Sequence, residues 1–574
     1  MIINVIFIFL AKCFLININY HSRLWCFKLE ERSVSRLIIG GSLQVIGSAL
    51  SGLFWWILGI LLSRPDIGIG PEGYGVYGIM LSFISFLSLF PAGVSTALSR
   101  SLQEFDTKED KAYVSRAFFT VTLVLLFASI SLGLIIINSF FGTSYVRTML
   151  FISLITVFLL SFSSFFIGLL NGFYEYNHTG FATMLYGAGA FITTVFILFF
   201  MDIRKMSPYG YSYYLALIFI SGSLIYLVYL FIASLITIQI TSGFFSISFD
   251  ISFKKALKRT FWCMLPLLLS LNSYMWASLL ILSSFGISEK YLGMLNIAIG
   301  YAATLFLIAF FSIPSVPEIG RAYEIGDTNL IKKLVRGAIK SFMFLTGLLI
   351  VAYVSMSYPL LYIFHTKVYT TAQIPFITSM ISTGLIAVEY ACIMILIGLN
   401  KEKLGGISAL ITFIASLSIF IILLYANWKL PYLEEEISYI TLPSLILTFI
   451  TIPIIVYLFK VIKESSGYLP VSAILKSILS ATVATIFGML LYPIIWPKTD
   501  FIQLSIAAAL PSILYLLALL LIGYFDEQDF ILAYDVINSL KLSFFSPLIK
   551  AFERIALANP LREKNWLDKV SAES

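Results

Sequence analysis

Residues 64–100 read RPDIGIGPEGYGVYGIMLSFISFLSLFPAGVSTALSR. A proline- and glycine-rich turn opens the stretch. No charged side chain then occurs from Gly73 to Ser99, and Arg100 closes it. A bilayer-spanning helix needs about 20 apolar residues, and this run supplies them between polar ends. The whole chain repeats the pattern. Of its 574 residues 59% are apolar and only 12% are charged, and the mean hydropathy is +0.96. Soluble domains carry about 25% charge. These deviations exclude an ordinary water-soluble enzyme, a disordered chain and a nucleic-acid binder. The apolar runs are continuous rather than alternating, which argues against a membrane β-barrel.

A window of about 20 residues marks fourteen candidate spans, near 37–62, 74–98, 117–140, 148–170, 181–201, 212–240, 261–284, 291–317, 338–364, 373–399, 406–426, 438–459, 470–492 and 502–524. The expected fold is an all-α polytopic membrane protein. With the segment before the first span in the cytoplasm, inside segments carry 28 Lys and Arg and outside loops carry 8. That asymmetry sets orientation and puts both ends of the core in the cytoplasm, in a multi-pass protein of the cell membrane. The first 36 residues form a short apolar run broken by Lys12. They are read as an interfacial extension or the product of an upstream start.

The chain also repeats itself. Glu72-Gly73-Tyr74 opens the second span, and Glu289-Lys290-Tyr291 opens the eighth. The second leads through Pro91 to Arg100, Glu104, Asp106 and Arg116. The eighth leads through Pro314 to Arg321, Glu324, Asp327 and Arg336, at an offset of 217–223 residues throughout. The fourth span ends at Gly168-Leu-Leu-Asn171 and the tenth at Gly398-Leu-Asn400. Six spans separate the copies, so both face the same way, an arrangement recurrent in transporters. The expected domains are an extension over 1–36, an N-lobe over 37–240 and an amphipathic cytoplasmic linker over 241–260. A C-lobe over 261–460, two further spans over 461–525 and an amphipathic cytoplasmic tail over 526–574 follow.

The opening stretch also resembles a known family. Gly70-Pro-Glu-Gly-Tyr-Gly-Val-Tyr77 is similar to the "LGPExYGxY" entry of bacterial and archaeal polysaccharide-export proteins. Ser88 to Arg100 resembles their "LGLxxALxR" continuation, and Gly168–Asn177 and Gly398–Gly405 resemble their glycine-asparagine loops. The likeness spans roughly residues 33–525. It is to the Wzx-like, O-antigen-flippase-like branch of the multidrug/oligosaccharidyl-lipid/polysaccharide (MOP) superfamily. It implies two pseudo-symmetric six-helix lobes plus two extra C-terminal helices. It also implies alternating-access transfer of a polyprenyl-pyrophosphate- or dolichyl-linked glycan to the outer leaflet. One departure counts against a dedicated lipid II flippase: the core spans hold no cluster of arginines, with Arg64, Arg100 and Arg321 only at their ends.

Several residues stand out as candidates. Glu389 is the one carboxylate well inside a predicted span. An intramembrane acid is a functional hypothesis by default, either coupling H+ or Na+ to transport or binding a sugar hydroxyl. The competing reading is a neutral acid bonded across two helices for packing. Gln44, Ser48, Ser51 and Trp55 share one narrow helical face of the first span, and Asn272 and Trp276 lie at similar spacing in the seventh. Hydroxyls, amides and an aromatic ring suit a sugar cavity. The bland alternative is helix packing, where small polar residues are common. Arg100 and Arg321 occupy equivalent cytoplasmic positions in the two copies, where they could bind a pyrophosphate, gate the cavity, or simply snorkel. Residues 244–259 and the tail from 526 are read as interfacial anchors.

The four cysteines form no CxxC pair and the three histidines are scattered, so no metal site is expected. No nucleotide loop or catalytic motif is present, so the chain is read as a transporter without a cofactor rather than an enzyme. The rival readings are a MATE-like drug/cation antiporter and a membrane polymerase or ligase. The latter would want catalytic acids in a large outside loop, whereas Glu434-Glu435-Glu436 reads as solvated surface. Expected partners are the lipid-linked glycan, membrane lipids, and glycosyltransferases, an oligosaccharyltransferase or a polymerase of the same pathway. No nucleic acid is expected, and the chain is expected to be a monomer.

Overall fold

The computed structural model describes residues 31–105, 107–140, 144–201, 208–240, 242–247, 249, 251–265, 273–305, 315–431, 433–495, 501–527, 529–531, 534 and 546–559. These residues are mostly helical, with no β-strand among them. In chain order the main helices are α1 (Glu31–Ser63), α2 (Gly70–Leu102), α3 (Lys108–Phe140), α4 (Ser144–Gly172), α5 (Tyr176–Phe200) and α6 (Pro208–Thr237). Next come α7 (Ile251–Met264), α8 (Ser273–Ser284), α9 (Glu289–Ala303), α10 (Ser315–Ile325), α11 (Thr328–Ser355) and α12 (Gln373–Gly398). The last are α13 (Glu402–Tyr425), α14 (Glu435–Ser466), α15 (Val471–Ile495), α16 (Phe501–Leu521) and α17 (Ser546–Ala558).

Twelve helical stretches among the described residues are long and apolar enough to cross a membrane. They coincide with twelve of the fourteen predicted spans. The other two, the seventh and eighth, are described in pieces as α7–α8 and α9–α10, because 266–272 and 306–314 lie outside the described residues. The chain is an all-α polytopic membrane protein. The expected extension lies outside the described residues up to position 30.

Packing repeats with the sequence. In the first copy α2 lies along α4, and in the second α10 lies along α12. The glycines of the repeated span ends make the same contact. Gly168 sits on Ser95 and Leu98 of α2, and Gly398 sits on Val316 and Ile319 of α10, each a contact that a Cβ would tighten to about 3 Å. α1 packs along α5, and α4 and α5 pack along α6, which closes the first lobe. In the second, α12 lies between α11 and α14 and is buried along most of its length.

The last two spans attach to α11. Tyr515 of α16 donates to the Phe344 carbonyl at 3.1 Å and lies 2.9 Å from Ser477 of α15. Beyond α16, Asp526 pairs with Arg336 and, at 3.0 Å, with Lys340; Asp529 also pairs with Lys340. All but Asp529 are nearly inaccessible. Buried charges persist only when paired, so this cluster fixes the C-terminal pair to α11.

The expected border at residue 260 falls inside α7, a single helix from Ile251 to Met264. Ala256, Thr260 and Cys263 recur at helical spacing and are buried, while Lys254, Lys255 and Lys258 are exposed. One amphipathic period therefore runs across that border. In the tail, α17 packs Ile549, Phe552 and Ala556 under the end of α16 around Leu520 and Phe530.

Candidate functional site

The two lobes meet along α2. Its glycine-rich end packs against α9, with Gly75 on the Glu289 carbonyl and Gly293 on the Pro71 carbonyl. A Cβ at either position would overlap backbone, so only glycine permits the approach. Asn296 folds over Gly78 and donates to the Tyr74 carbonyl at 3.2 Å. The same helix touches the second lobe again at Arg100, about 38 Å from Gly75 at 1.5 Å per residue.

At that far end the seam is ionic. Arg100 is 1% exposed. Its Nη2 donates to Glu324 of α10 at 2.7 Å, and its guanidinium lies over Gly320. Its Nε and Nη1 make no hydrogen bond, and Nη1 is 3.8 Å from Glu104. Glu104 receives Arg259 of α7 at 2.6 Å, and Arg259 also donates to Ser101 at 3.1 Å. The repeat has exchanged partners: the arginine of the first copy is held by the glutamate of the second. Arg321, the sequence equivalent of Arg100, is half-buried.

At the near end the seam is neutral. α1 ends at Ser63, whose Oγ lies 2.6 Å from Nδ1 of His365. Nε2 of the same ring lies 2.9 Å from the hydroxyl of Tyr301 on α9. Tyr369 donates to the Ser63 carbonyl at 3.2 Å. Trp56 adds edge contacts to Phe364 and Tyr301. His365 is buried and closes a π-helical turn, Leu361–His365, between two spans. Burial pushes its imidazole down to about 3, with the Arg64 charge adding to the effect.

Most of the predicted sugar-binding stripe faces inward within one lobe. Gln44 Nε2 donates to Asn171 Oδ1 at 3.1 Å and to Thr179 Oγ1 at 2.9 Å. Gly187 rests on Ser51, and Gly47 rests on the Gly180 carbonyl. Ser48 is buried beside them. This face is thus the small-residue junction of α1 with α5, the arrangement that lets helices approach closely in lipid. Trp55 stacks on Phe219 at 5.2 Å and approaches Tyr186 at 5.3 Å, also within the first lobe. Trp276 is buried on α8, a helix that packs against α2. Asn272 lies outside the described residues.

Glu389 is fully buried in α12 and does not face lipid. Thr412 of α13 donates to its Oε1 at 2.8 Å, and Oε2 has no hydrogen-bond partner. Glu434, Glu435 and Glu436 line a cavity of about 510 Å³ together with Phe285, Tyr291 and Tyr439. Glu435 is exposed and paired with Lys429 at 2.9 Å. No group of residues able to hold a metal ion occurs among the described residues.

No family model matches the sequence, and no functionally curated protein matches it. Solved structures do. The lipid II flippase MurJ in an inward closed conformation superposes with a TM-score of 0.57 at 16% identity, covering 83% of this chain and 98% of the flippase. An inward-facing multidrug resistance MATE family transporter of the MOP superfamily gives 0.52 at 17%, over 76% of this chain and 99% of that one. The fold is that of the MOP transporters. A third member of this fold group, a MOP superfamily transporter from Pyrococcus furiosus, gives 0.56 at 18% identity over 76% of this chain and 97% of its own.

Sequence reading identified Arg100 but not its partner, although Glu324 stood in the repeat three residues after Arg321. It missed the neutral seam altogether. Ser63 lies 302 residues from His365, and Tyr301 lies 64 from it; a single histidine at a span end carries no pattern.

Proposed function

We propose that this protein carries a lipid-linked oligosaccharide from the cytoplasmic to the outer leaflet by alternating between its two seams. One observation carries the reading: the first lobe is closed against the second at both ends, by the Arg100 ion pair of α2 at one and by neutral hydrogen bonds at the end of α1 at the other. Alternating access needs such a pair of closures that can be opened in turn. The basic side of the charge pattern puts the Arg100 seam in the cytoplasm and the His365 seam outside.

Arg100 suits the pyrophosphate of a lipid-linked sugar. Two of its nitrogens make no hydrogen bond in the closed seam, and guanidinium takes phosphate bidentately. An arriving pyrophosphate would replace Glu324 as the counter-charge and part the seam, while the lipid tail stays in the bilayer. Glu389 is the acid on which H+ or Na+ coupling would act.

The match to the flippase reaches 83% of this chain against 76% for the MATE transporter. That difference, about 40 residues, is the length of two spans and favours the flippase reading. The drug/cation antiporter remains the second reading, since MATE structures share the fold. A deletion strain tests both. Lipid-linked sugar accumulating on the cytoplasmic face supports the flippase; changed dye efflux without that accumulation supports the antiporter.

A further inference from the structure

The neutral seam holds a titratable group at its centre. Ser63 Oγ donates to the Ile60 carbonyl at 3.2 Å, so its one proton is used there. Nδ1–H of His365 therefore donates to Ser63 Oγ, and Nε2 accepts from the Tyr301 hydroxyl. The ring is neutral in this arrangement and ties the first lobe, through Ser63, to the second, through Tyr301. A second proton on Nε2 would make the Tyr301 hydroxyl turn to accept it and would put an imidazolium in a buried site.

The charged groups nearest the ring in sequence and across the seam are Arg64, Asp66 and Lys367. Arg64 holds Asp66 bidentately at 3.0 and 2.9 Å, and Lys367 is exposed. Tyr74 of α2, Tyr353 of α11 and Tyr369 complete the titratable surroundings, and α12 contributes the apolar Phe376. None of these supplies a free counter-ion for an imidazolium. The next residue, Thr366, has φ of 90°. That conformation is strained for a β-branched residue, and such strain clusters at switches.

We propose that protonation of His365 releases the seam at its end of the molecule, so that acid favours the form open there. The inference rests on the two-lobe transport reading only in supposing that the lobes part at this seam. The sign follows from linkage. In the closed form the imidazole is held at about 3, and in an open, solvated seam it returns to about 6.5. The closed form therefore keeps its full advantage above about pH 6.5 and loses it as pH falls from there toward 3. The open-to-closed ratio should rise about tenfold between pH 7.5 and pH 5.5.

The test places cysteines at Ile67 and Val368, exposed positions on either side of the seam, in a full-length chain otherwise free of cysteine. Spin-label distances are read in nanodiscs of phosphatidylethanolamine and phosphatidylglycerol, without substrate. The longer distance should gain about tenfold in population between pH 7.5 and 5.5, and His365→Gln should abolish the response. Tyr301→Phe keeps the imidazole, so it should be more open at every pH yet still respond. A flat wild-type profile, or an undiminished response in His365→Gln, overturns the proposal. If His365→Gln does not fold, a Tyr301→Phe profile identical to wild type overturns it equally. Intact pH response with no glycan translocation would sink the lipid-linked-glycan reading and leave this proposal standing.

Discussion

The two seams close the first lobe against the second by opposite chemistry, one at the end of α2 and the other at the end of α1. The Arg100 seam is an ion pair between a buried guanidinium and a carboxylate that is 41% exposed, with a second pair beside it. The His365 seam contains a neutral triad in which each polar atom has a neutral partner. A charged seam yields to a competing charge, and a neutral one yields to a proton. The first lobe can thus be freed at either end by a different agent.

Removing Glu324 should produce the largest effect. Glu324→Ala leaves Arg100 buried without its strongest counter-charge. Breaking a buried pair costs 3–5 kcal/mol, and the partial exposure of Glu324 lowers this to about 2 kcal/mol, or about 30-fold in the open-to-closed ratio. Labelling of a cysteine placed at Ser101 should speed up accordingly. Unchanged labelling would mean that the ion pair does not hold this end shut.

Glu389 lies in neither seam, which makes it a control as well as a candidate. Glu389→Gln keeps the acceptor for Thr412 while removing the ionisable oxygen. If the acid couples an ion to the cycle, export should drop about tenfold, within the usual range for coupled sites. Protein level and both seam equilibria should be unaltered. Normal export by this variant would leave the acid a packing residue.

A smaller change is expected at the neutral end. Tyr301→Phe deletes one hydrogen bond to His365, worth about 1 kcal/mol, or about fivefold in opening. The Arg100 end should not loosen with it. Equal loosening at both ends would show that the seams open together, which alternating access forbids.

How far the sequence showed this depends on the kind of interaction. The spans were legible because a helix in lipid must be apolar for about 20 residues, a signal carried locally. The repeat was legible because Gly168 and Gly398 meet the equivalent helix in each copy, in contacts tight enough to favour glycine. The stripe Gln44, Ser48, Ser51 was visible as a face, but periodicity does not say whether a polar face meets water, sugar or another helix. Its junction with α5 is decided by Gly180 and Gly187, over a hundred residues away. The neutral seam is wholly non-local: serine, tyrosine and histidine at three span ends have no spacing to betray them. The Arg100–Glu324 pair escaped the sequence as well, although the repeat had placed both residues in equivalent neighbourhoods.

The finest separation of the two ends concerns Arg259. Its pair with Glu104 braces the charged seam from α7, and Glu104 is 35% exposed, open to solvent and salt. Pairs of this kind contribute about 0.5 kcal/mol, so Arg259→Gln should raise opening at the Arg100 end only about twofold. Added salt should imitate the variant, since screening shortens to about 3 Å at 1 M, while the uncharged His365 end stays as it was. Labelling rates at each end, measured in low and high salt with and without the variant, would separate the two. If salt opened the His365 end as much as the Arg100 end, the assignment of charge to one seam and neutrality to the other would fail.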